Sequence, residues 1–428
     1  MIPASWRNYR PGRLARHTAI LSAGLGLRSG AQALVFLITA QLLGSQGYGA
    51  FSATLALAGA CGVFVGLGGH VLLMRDVARD GSCYRKSLGA ALVVYAISLV
   101  PVGVAYFLAA GWLLDEIPWS VIALVGLSEL ALFPLVQTFA SAYQGVERIG
   151  RAARLLLVPV VARLIAAILL ITLAYLATAP TDLLPSWAML YLLATLLAVL
   201  YASQRLYRDL GPPAAPGHEA VRAYLREGSP FAIWGSAHKL YLDADKFLLA
   251  ALATLHSAGV YSAGHRLVDL VTLPMQALLG AAAPRHFRAG AQGLAEALKA
   301  VRAIALPIAG YALAAGMGLT LAAPLVPRLL GAEYEEAVAV VQWLAWLPMV
   351  GAGRLLSQRI LIACSMQVFV MLAAVVGAVV NIVLTVWWIP IWGWKGAAVA
   401  TYGADFLTTL FMLLALVRAH RSKPPMQD

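Results

Sequence analysis

Long apolar runs alternate with short polar gaps along this chain, and the gaps themselves alternate in charge. Runs near the length that crosses a bilayer, about 20 residues, predict helices over 18–42, 47–72, 87–112, 118–142, 154–178 and 184–204. After a polar stretch they resume over 229–252, 256–282, 301–323, 336–360, 366–388 and 394–417. They must be helical, because a backbone polar group in hydrocarbon needs a partner within its own segment. Before the first run sit Arg7, Arg10, Arg13 and Arg16; after the second, Arg75, Arg79, Arg85 and Lys86; after the fourth, Arg148, Arg151 and Arg154. Arg205, Arg208, Arg222 and Arg226 follow the sixth, Arg285, Arg288, Lys299 and Arg302 the eighth, and Arg418, Arg421 and Lys423 the last. The other gaps hold Asp115, Glu116, Asp182, Glu333, Glu335 and Glu336, with Arg328 and Lys395 as their basic residues. Cationic loops stay cytoplasmic. The pattern therefore predicts twelve spans with both termini in the cytoplasm.

Composition agrees: 61% of residues are hydrophobic and 12% charged, with a mean hydropathy of +0.81, outside the soluble range. The formal net charge of +12 would suggest nucleic acid in a soluble protein; here it belongs to the cytoplasmic loops and to anionic headgroups. Nucleic acid is excluded as a partner. Three cysteines, Cys61, Cys83 and Cys364, are too few and too scattered for a disulfide framework. The basic N-terminus precedes a run too long for a signal-peptide core, so that run is expected to remain as a span. The gaps on the acidic side are short, which argues against an extracytoplasmic catalytic domain.

The two halves repeat. Gly49-Ala50-Phe51-Ser52-Ala53 opens the second run and Gly259-Val260-Tyr261-Ser262-Ala263 the eighth, an offset of 210 residues, and Arg75 meets Arg285 at the same offset. Six helices plus six in one orientation predict parallel repeats related by an axis along the membrane normal, as in transporters that rock two lobes about a central site. The Pro/Gly-rich stretch Gly211-Pro212-Pro213-Ala214-Ala215-Pro216-Gly217 reads as a linker. The predicted division is residues 1–204 and 229–428 as six-helix lobes, with 205–228 as a cytoplasmic linker. The fold class is thus all-α and integral to the membrane.

Charges inside the bilayer are expensive and must face protein or water. At about 1.5 Å per residue, Arg28 and Lys239 fall at matching depths in the first and seventh runs, and Arg163, Glu129, Arg266, Asp269, Asp405 and Arg354 are also deep. Spacing suggests local pairs, Lys239 with Asp243 and Arg266 with Asp269; such pairs can equally be ties between helices. Arg28, Arg163 and Arg354 have no acid within a helical turn, which points to a solvated cavity. Deep cations outnumber deep acids, so the cargo is expected to be anionic, and guanidinium forks with lysines suit a diphosphate. Arg28, Arg163, Lys239, Arg266 and Arg354 are the candidate diphosphate and sugar ligands. Asp243 leads the candidates for coupling to a cation, followed by Asp405 and Glu129. Tyr241, Tyr261, Trp234, Trp343 and Trp346 are potential sugar-stacking surfaces, though interface anchoring explains most of them. No metal-ligand spacing, phosphate-binding glycine loop or nucleophile–base set is present.

Gly47-Tyr48-Gly49-Ala50-Phe51-Ser52-Ala53, Asp243-Ala244-Asp245-Lys246 with Ala258-Gly259-Val260-Tyr261-Ser262-Ala263, and Gly393-Trp394-Lys395-Gly396 opening the last helix together resemble bacterial polysaccharide-unit flippases. These are of the Wzx type, the polysaccharide transporter family of the multidrug/oligosaccharidyl-lipid/polysaccharide exporter superfamily. The resemblance covers essentially the whole chain through diffuse motifs. It implies two six-helix lobes forming a V, and transfer of undecaprenyl-diphosphate-linked sugar units across a bacterial inner membrane for O-antigen or exopolysaccharide synthesis. It further implies no cofactor, coupling to H⁺ or Na⁺, and the polysaccharide polymerase and chain-length machinery as partners. A lipid-II flippase would usually carry two further helices. Two other classes stay open: a cation-coupled drug antiporter, which wants a predominantly acidic cavity, and a membrane-embedded polymerase or ligase, which normally needs a sizeable external loop.

Overall fold

The computed structural model describes residues 13–176 and 182–421, with side chains for 26–176 and 182–419. Arg7, Arg10 and Lys423 lie outside the described residues, as do the side chains of Arg13, Arg16 and Arg421. The described chain is helix and turn with no strand. The helices are α1 Arg13–Gly62, α2 Gly69–Arg79, α3 Tyr84–Leu113, α4 Trp119–Gly145, α5 Ile149–Leu176 and α6 Leu183–Leu210. They continue as α7 His218–Leu252, α8 Leu255–Ala291, α9 Leu294–Leu330, α10 Glu336–Ala363, α11 Gln367–Trp392 and α12 Trp394–Arg421.

Among the described residues ten helices are long and apolar enough to cross a bilayer. Two more crossings complete the twelve. The helix α1 turns back on itself at Gly44, whose φ of 65° lies in the left-handed region that glycine adopts readily. The rings of Phe36 and Tyr48 sit 5.6 Å apart, where a straight helix would separate them by about 18 Å. The other addition is α7, whose Lys239, Asp243, Asp245 and Lys246 lower its hydropathy; it packs along α1 and α11 all the same. The second crossing departs from the continuous run expected over 47–72. Helix stops at Gly62 and resumes at Gly69, with Gly66, Leu67 and Gly68 all at positive φ. Elsewhere the helices outrun their apolar cores, because hydropathy marks only the lipid-facing length. Between α8 and α9 only Gln292 and Gly293 stay outside helix, the latter at φ 118°.

The largest core spans both halves, with Phe51 and Trp187 of the first and Tyr261 and Val340 of the second, and each half adds a smaller core of its own. Leu72, Leu88, Val136, Tyr143, Leu155 and Ala202 belong to one; Leu294, Leu361, Val370 and Met412 belong to another. The halves meet where the second crossing passes α8. A Cβ on Gly49 would run into the backbone of Leu255 and Gly259, and one on Gly259 into that of Ser45 and Gly49. Ser52 Oγ donates to Ser262 Oγ at 2.9 Å. Every partner in this set lies 210 residues from its counterpart (45/255, 49/259, 52/262), so the contact is self-complementary in the manner of a two-fold interface. The repeated motif is the part of the chain that touches its own copy, and two glycines let the backbones approach.

The helix α7 serves both halves. The coil before it is pinned to the start of α3, Ala214 N–H donating to Arg85 O at 2.8 Å and Arg85 Nε to Pro212 O at 3.0 Å. Its first turns then lie on α2, through Tyr224 Oη to Asp76 at 3.0 Å and Arg75 to Glu227 at 2.7 Å. The stretch 205–228 is an ordered strap rather than a free tether.

Topology gives a direct check. Reporter fusions after Gly81, Gly150, Gly217 and Gly290 are expected to report cytoplasm, and fusions near Glu116, Asp182 and Glu335 the opposite side. A cytoplasmic signal at Glu116 would refute the twelve-span arrangement.

Candidate functional site

A cavity with about 920 Å³ of free space, counting its open mouth, lies between the halves. The first half supplies α1, α5 and α6 as walls; the second supplies α7 and α8. Among the described residues four cations line it, Arg163, Lys239, Lys246 and Arg266, against two carboxylates, Asp243 and Asp269.

Helical spacing positions the α7 group. Residues 239, 243 and 246 share one face, and Asp243 sits between two ammoniums: Lys239 Nζ lies 2.5 Å from Oδ2 and Lys246 Nζ 2.5 Å from Oδ1. Lys239 remains 41% exposed, whereas Lys246 is 12% exposed and also donates to Leu242 O at 3.0 Å. Asp245 does not line the cavity: its Oδ2 accepts a hydrogen bond from Tyr261 Oη at 2.8 Å and its Oδ1 lies 3.7 Å from Lys246 Nζ. On α8 the Arg266–Asp269 pair suggested by spacing is not made. Asp269 lies 3.4 Å from His265 Nδ1 instead, and Arg266 has no hydrogen bond or ion pair among the described residues. Arg28 is likewise unpaired there, and stands within electrostatic reach of Arg163 and Arg266.

Arg163 and Arg354 carry tertiary partners that spacing along one helix does not reveal. Arg163 donates to Glu129 Oε1 at 2.7 Å and to Thr195 Oγ1 at 3.1 Å, and its guanidinium lies 3.9 Å from the Tyr191 ring centroid. Tyr191 Oη donates to the same Glu129 oxygen at 2.7 Å. Glu129 itself sits in a π-helical turn of α4, Leu127–Leu132. Arg354 repeats the arrangement in the second half. Its Nε donates to Asp405 Oδ1 at 2.8 Å, the Tyr241 hydroxyl donates to that oxygen too, and the guanidinium stacks 5.2 Å from the Tyr241 centroid. This second triad borders a separate cavity with His265, Thr401 and Asp269. The structure therefore gathers Arg163, Lys239 and Arg266 at the central cavity, sets Arg28 close by, and places Arg354 elsewhere. Asp405 and Glu129 each hold an arginine and a tyrosine; Asp243 alone of the three coupling candidates lines the central cavity.

Lys246 was absent from the sequence-based ligand set, although its spacing of three from Asp243 was the available signal. The aromatic residues on the cavity wall are Phe36, Tyr48, Phe51, Trp187 and Tyr191, none of the five named above as potential stacking surfaces. Of those five, Tyr261 is fully buried and Trp343 packs edge-on against Trp394. Trp234 stacks on His238 with ring centroids 6.0 Å apart. Among the described residues no group of three or more His, Cys, Asp or Glu is placed to hold a metal ion.

The acidic end of the cavity is shut. Glu333 Oε2 accepts from Ser45 N–H at 3.0 Å, capping the helix that follows Gly44 as an acid does at a helix N-terminus. Tyr334 Oη reaches Ala40 O and Gly44 O at 3.0 Å each, and Gln41 Nε2 donates to Leu329 O at 2.5 Å. His256 Nδ1 lies 2.7 Å from Ser45 Oγ. All of these join the first-half turn to the second half. At the basic end the first and second halves meet through α7.

Comparison with known proteins places this arrangement. The polysaccharide biosynthesis protein family matches residues 14–289. Among solved structures, an inward-facing multidrug resistance MATE family transporter of the MOP superfamily shares 14% identity, with 95% of this chain and 100% of that one covered and a TM-score of 0.71. An outward-facing transporter of the same description gives 16% identity, 95% and 97% coverage, and 0.59. A MOP superfamily transporter from Pyrococcus furiosus, described as having a binding pocket of reverse polarity that suggests a different function, gives 14%, 95% and 95%, and 0.62. At these identities the likeness is one of fold. No curated protein matches the chain.

Proposed function

This chain belongs to the polysaccharide biosynthesis protein family, and on that premise we propose that it flips undecaprenyl-diphosphate-linked oligosaccharide units from the cytoplasmic to the periplasmic leaflet of a bacterial inner membrane. The observation that carries the reading is the excess of cations, Arg163, Lys239, Lys246 and Arg266, around a cavity between two repeats. An anion drawn from water into such a site keeps its charge only against fixed counter-charges, and a diphosphate offers enough oxygens to engage several. The basic end faces the cytoplasm by the positive-inside bias, so the state described is closed towards the periplasm by Glu333, Tyr334 and the Gly49–Gly259 crossing. Export requires those contacts to part while the halves close at the basic end. The charge for the diphosphate comes chiefly from Arg266, Arg28 and Lys239, the cations left unpaired or exposed. O-antigen or exopolysaccharide synthesis is the process this serves, with the polymerase and chain-length machinery receiving the product.

Lipid-linked glycans extracted from a deletion strain test the reading. Complete repeat units are expected to accumulate on the cytoplasmic face. A second reading, cation-coupled drug export, draws on Asp243 and Asp269 in the same cavity; it predicts drug sensitivity in that strain with no accumulated glycan.

A further inference from the structure

A second cavity, with about 760 Å³ of free space counting its open mouth, lies one to two helical turns towards the basic end from the cationic chamber. It is built around irregular backbone. One wall is the unwound stretch of the second crossing, Gly62, Val63, Val65 and Gly66, within which Leu67 holds φ 43°, a conformation strained for a leucine. Beside it α4 leaves its π-helical turn at Leu132, and Pro134, Gln137 and Thr138 of the next turn line the same space. The two defects touch, since a Cβ on Gly62 would press on Glu129 O. Unwound backbone at membrane depth persists where it borders a cavity, and interrupted helices mark binding sites in transporters.

The wall chemistry differs from that of the central chamber. Among the described residues no Asp, Glu, Lys or Arg lines this cavity. Its polar side chains include Gln137 and His70, neither with a hydrogen-bond partner among the described residues. Opposite them α7 presents Phe231 and Trp234, 43% and 38% exposed. Neutral donors and acceptors facing an indole with one face on His238 and the ring still part-exposed are the groups that bind a pyranose, by hydrogen bonds to its hydroxyls and contact with its C–H face. Register along α7 links the sites: Gly235 lines this cavity and Lys239 the cationic chamber, about 6 Å apart along the axis, close to the width of one sugar ring. Resting on the function proposed above, we infer that this cavity is the subsite for the uncharged sugar attached directly to the diphosphate, read by Trp234, Gln137 and His70.

The full-length protein in nanodiscs tests this with two probes, undecaprenyl diphosphate and the same lipid carrying a neutral disaccharide. The wild type is expected to bind the glycosylated lipid about ten-fold more tightly. Trp234→Ala and Gln137→Ala should each remove most of that difference and leave affinity for the bare lipid diphosphate unchanged, while Trp234→Phe, which keeps a ring, retains part of it. Arg266→Ala should weaken both probes alike. Unchanged bare-lipid binding in the variants also shows that they are folded. Equal affinity of the wild type for the two probes, or variants that weaken both equally, overturns the subsite while leaving the diphosphate reading standing. Failure of the wild type to bind either probe overturns both.

Discussion

Arg266→Ala is expected to abolish export of lipid-linked units while the protein inserts and accumulates normally. The guanidinium lines the cavity and makes no hydrogen bond or ion pair among the described residues, so removing it breaks no direct pair; Asp269 keeps His265. What is lost is a charge-assisted contact to the substrate, about 1.5–3 kcal/mol, roughly ten- to 150-fold in affinity. Arg28→Ala and Lys239→Ala should act in the same way, the latter more mildly because Asp243 retains Lys246 at 2.5 Å. Arg28→Lys should rescue only partly, since the planar fork is lost. Arg163→Ala and Arg354→Ala form a contrasting class. Each leaves a buried carboxylate, Glu129 or Asp405, without its cation, which typically costs about 3–5 kcal/mol, so their loss of export should be accompanied by loss of folded protein. Flux in a complementation assay, normalised to membrane abundance, separates the classes. Normal export by Arg28→Ala, Lys239→Ala and Arg266→Ala together would remove the diphosphate assignment.

The same contrast marks what the sequence could reveal. Apolar run length and alternating charge fixed the twelve crossings, because hydrophobic thickness and loop charge act locally on the chain. The duplicated pentapeptide proved informative for a structural reason: 49/259 and 52/262 are the positions where the repeats touch. Pairing across helices was not legible. Glu129 stands 34 residues from Arg163 and Asp405 stands 51 from Arg354, and periodicity on one helix carries no information about which neighbour packs against it. The unwound segment after Gly62 was hidden as well. Its glycines read as packing glycines, and only the folded chain shows three consecutive residues at positive φ. The Lys239–Asp243 pair lay within reach because both residues occupy one turn of one helix. Even there the sequence suggested a pair where the structure holds a trio.

That trio sharpens the remaining prediction, which concerns coupling. Asp243 lies between two lysines on the cavity wall, and a diphosphate entering the chamber competes for the same ammoniums. Displaced from them, a carboxylate in a desolvated wall favours its neutral form and takes up a proton, tying substrate occupancy to protonation. Asp243→Asn is therefore expected to eliminate the response of flipping to an imposed pH gradient in proteoliposomes. A purely structural role also predicts damage from this change, because Lys239 and Lys246 would then repel one another without the acid between them. The double variant Asp243→Asn with Lys246→Met separates the two, since it removes the repulsion together with the acid. Thermal stability should return in part in that variant under either role, since Asp245 loses the Lys246 charge 3.7 Å away. Gradient-driven flipping should stay absent if Asp243 carries the proton, with slow gradient-independent exchange of substrate remaining through Lys239, Arg266 and Arg28. Recovery of a normal gradient response in the double variant would show that Asp243 is only a tie between two lysines, and would move the search for the coupling carboxylate to Asp269, the other acid on the cavity wall.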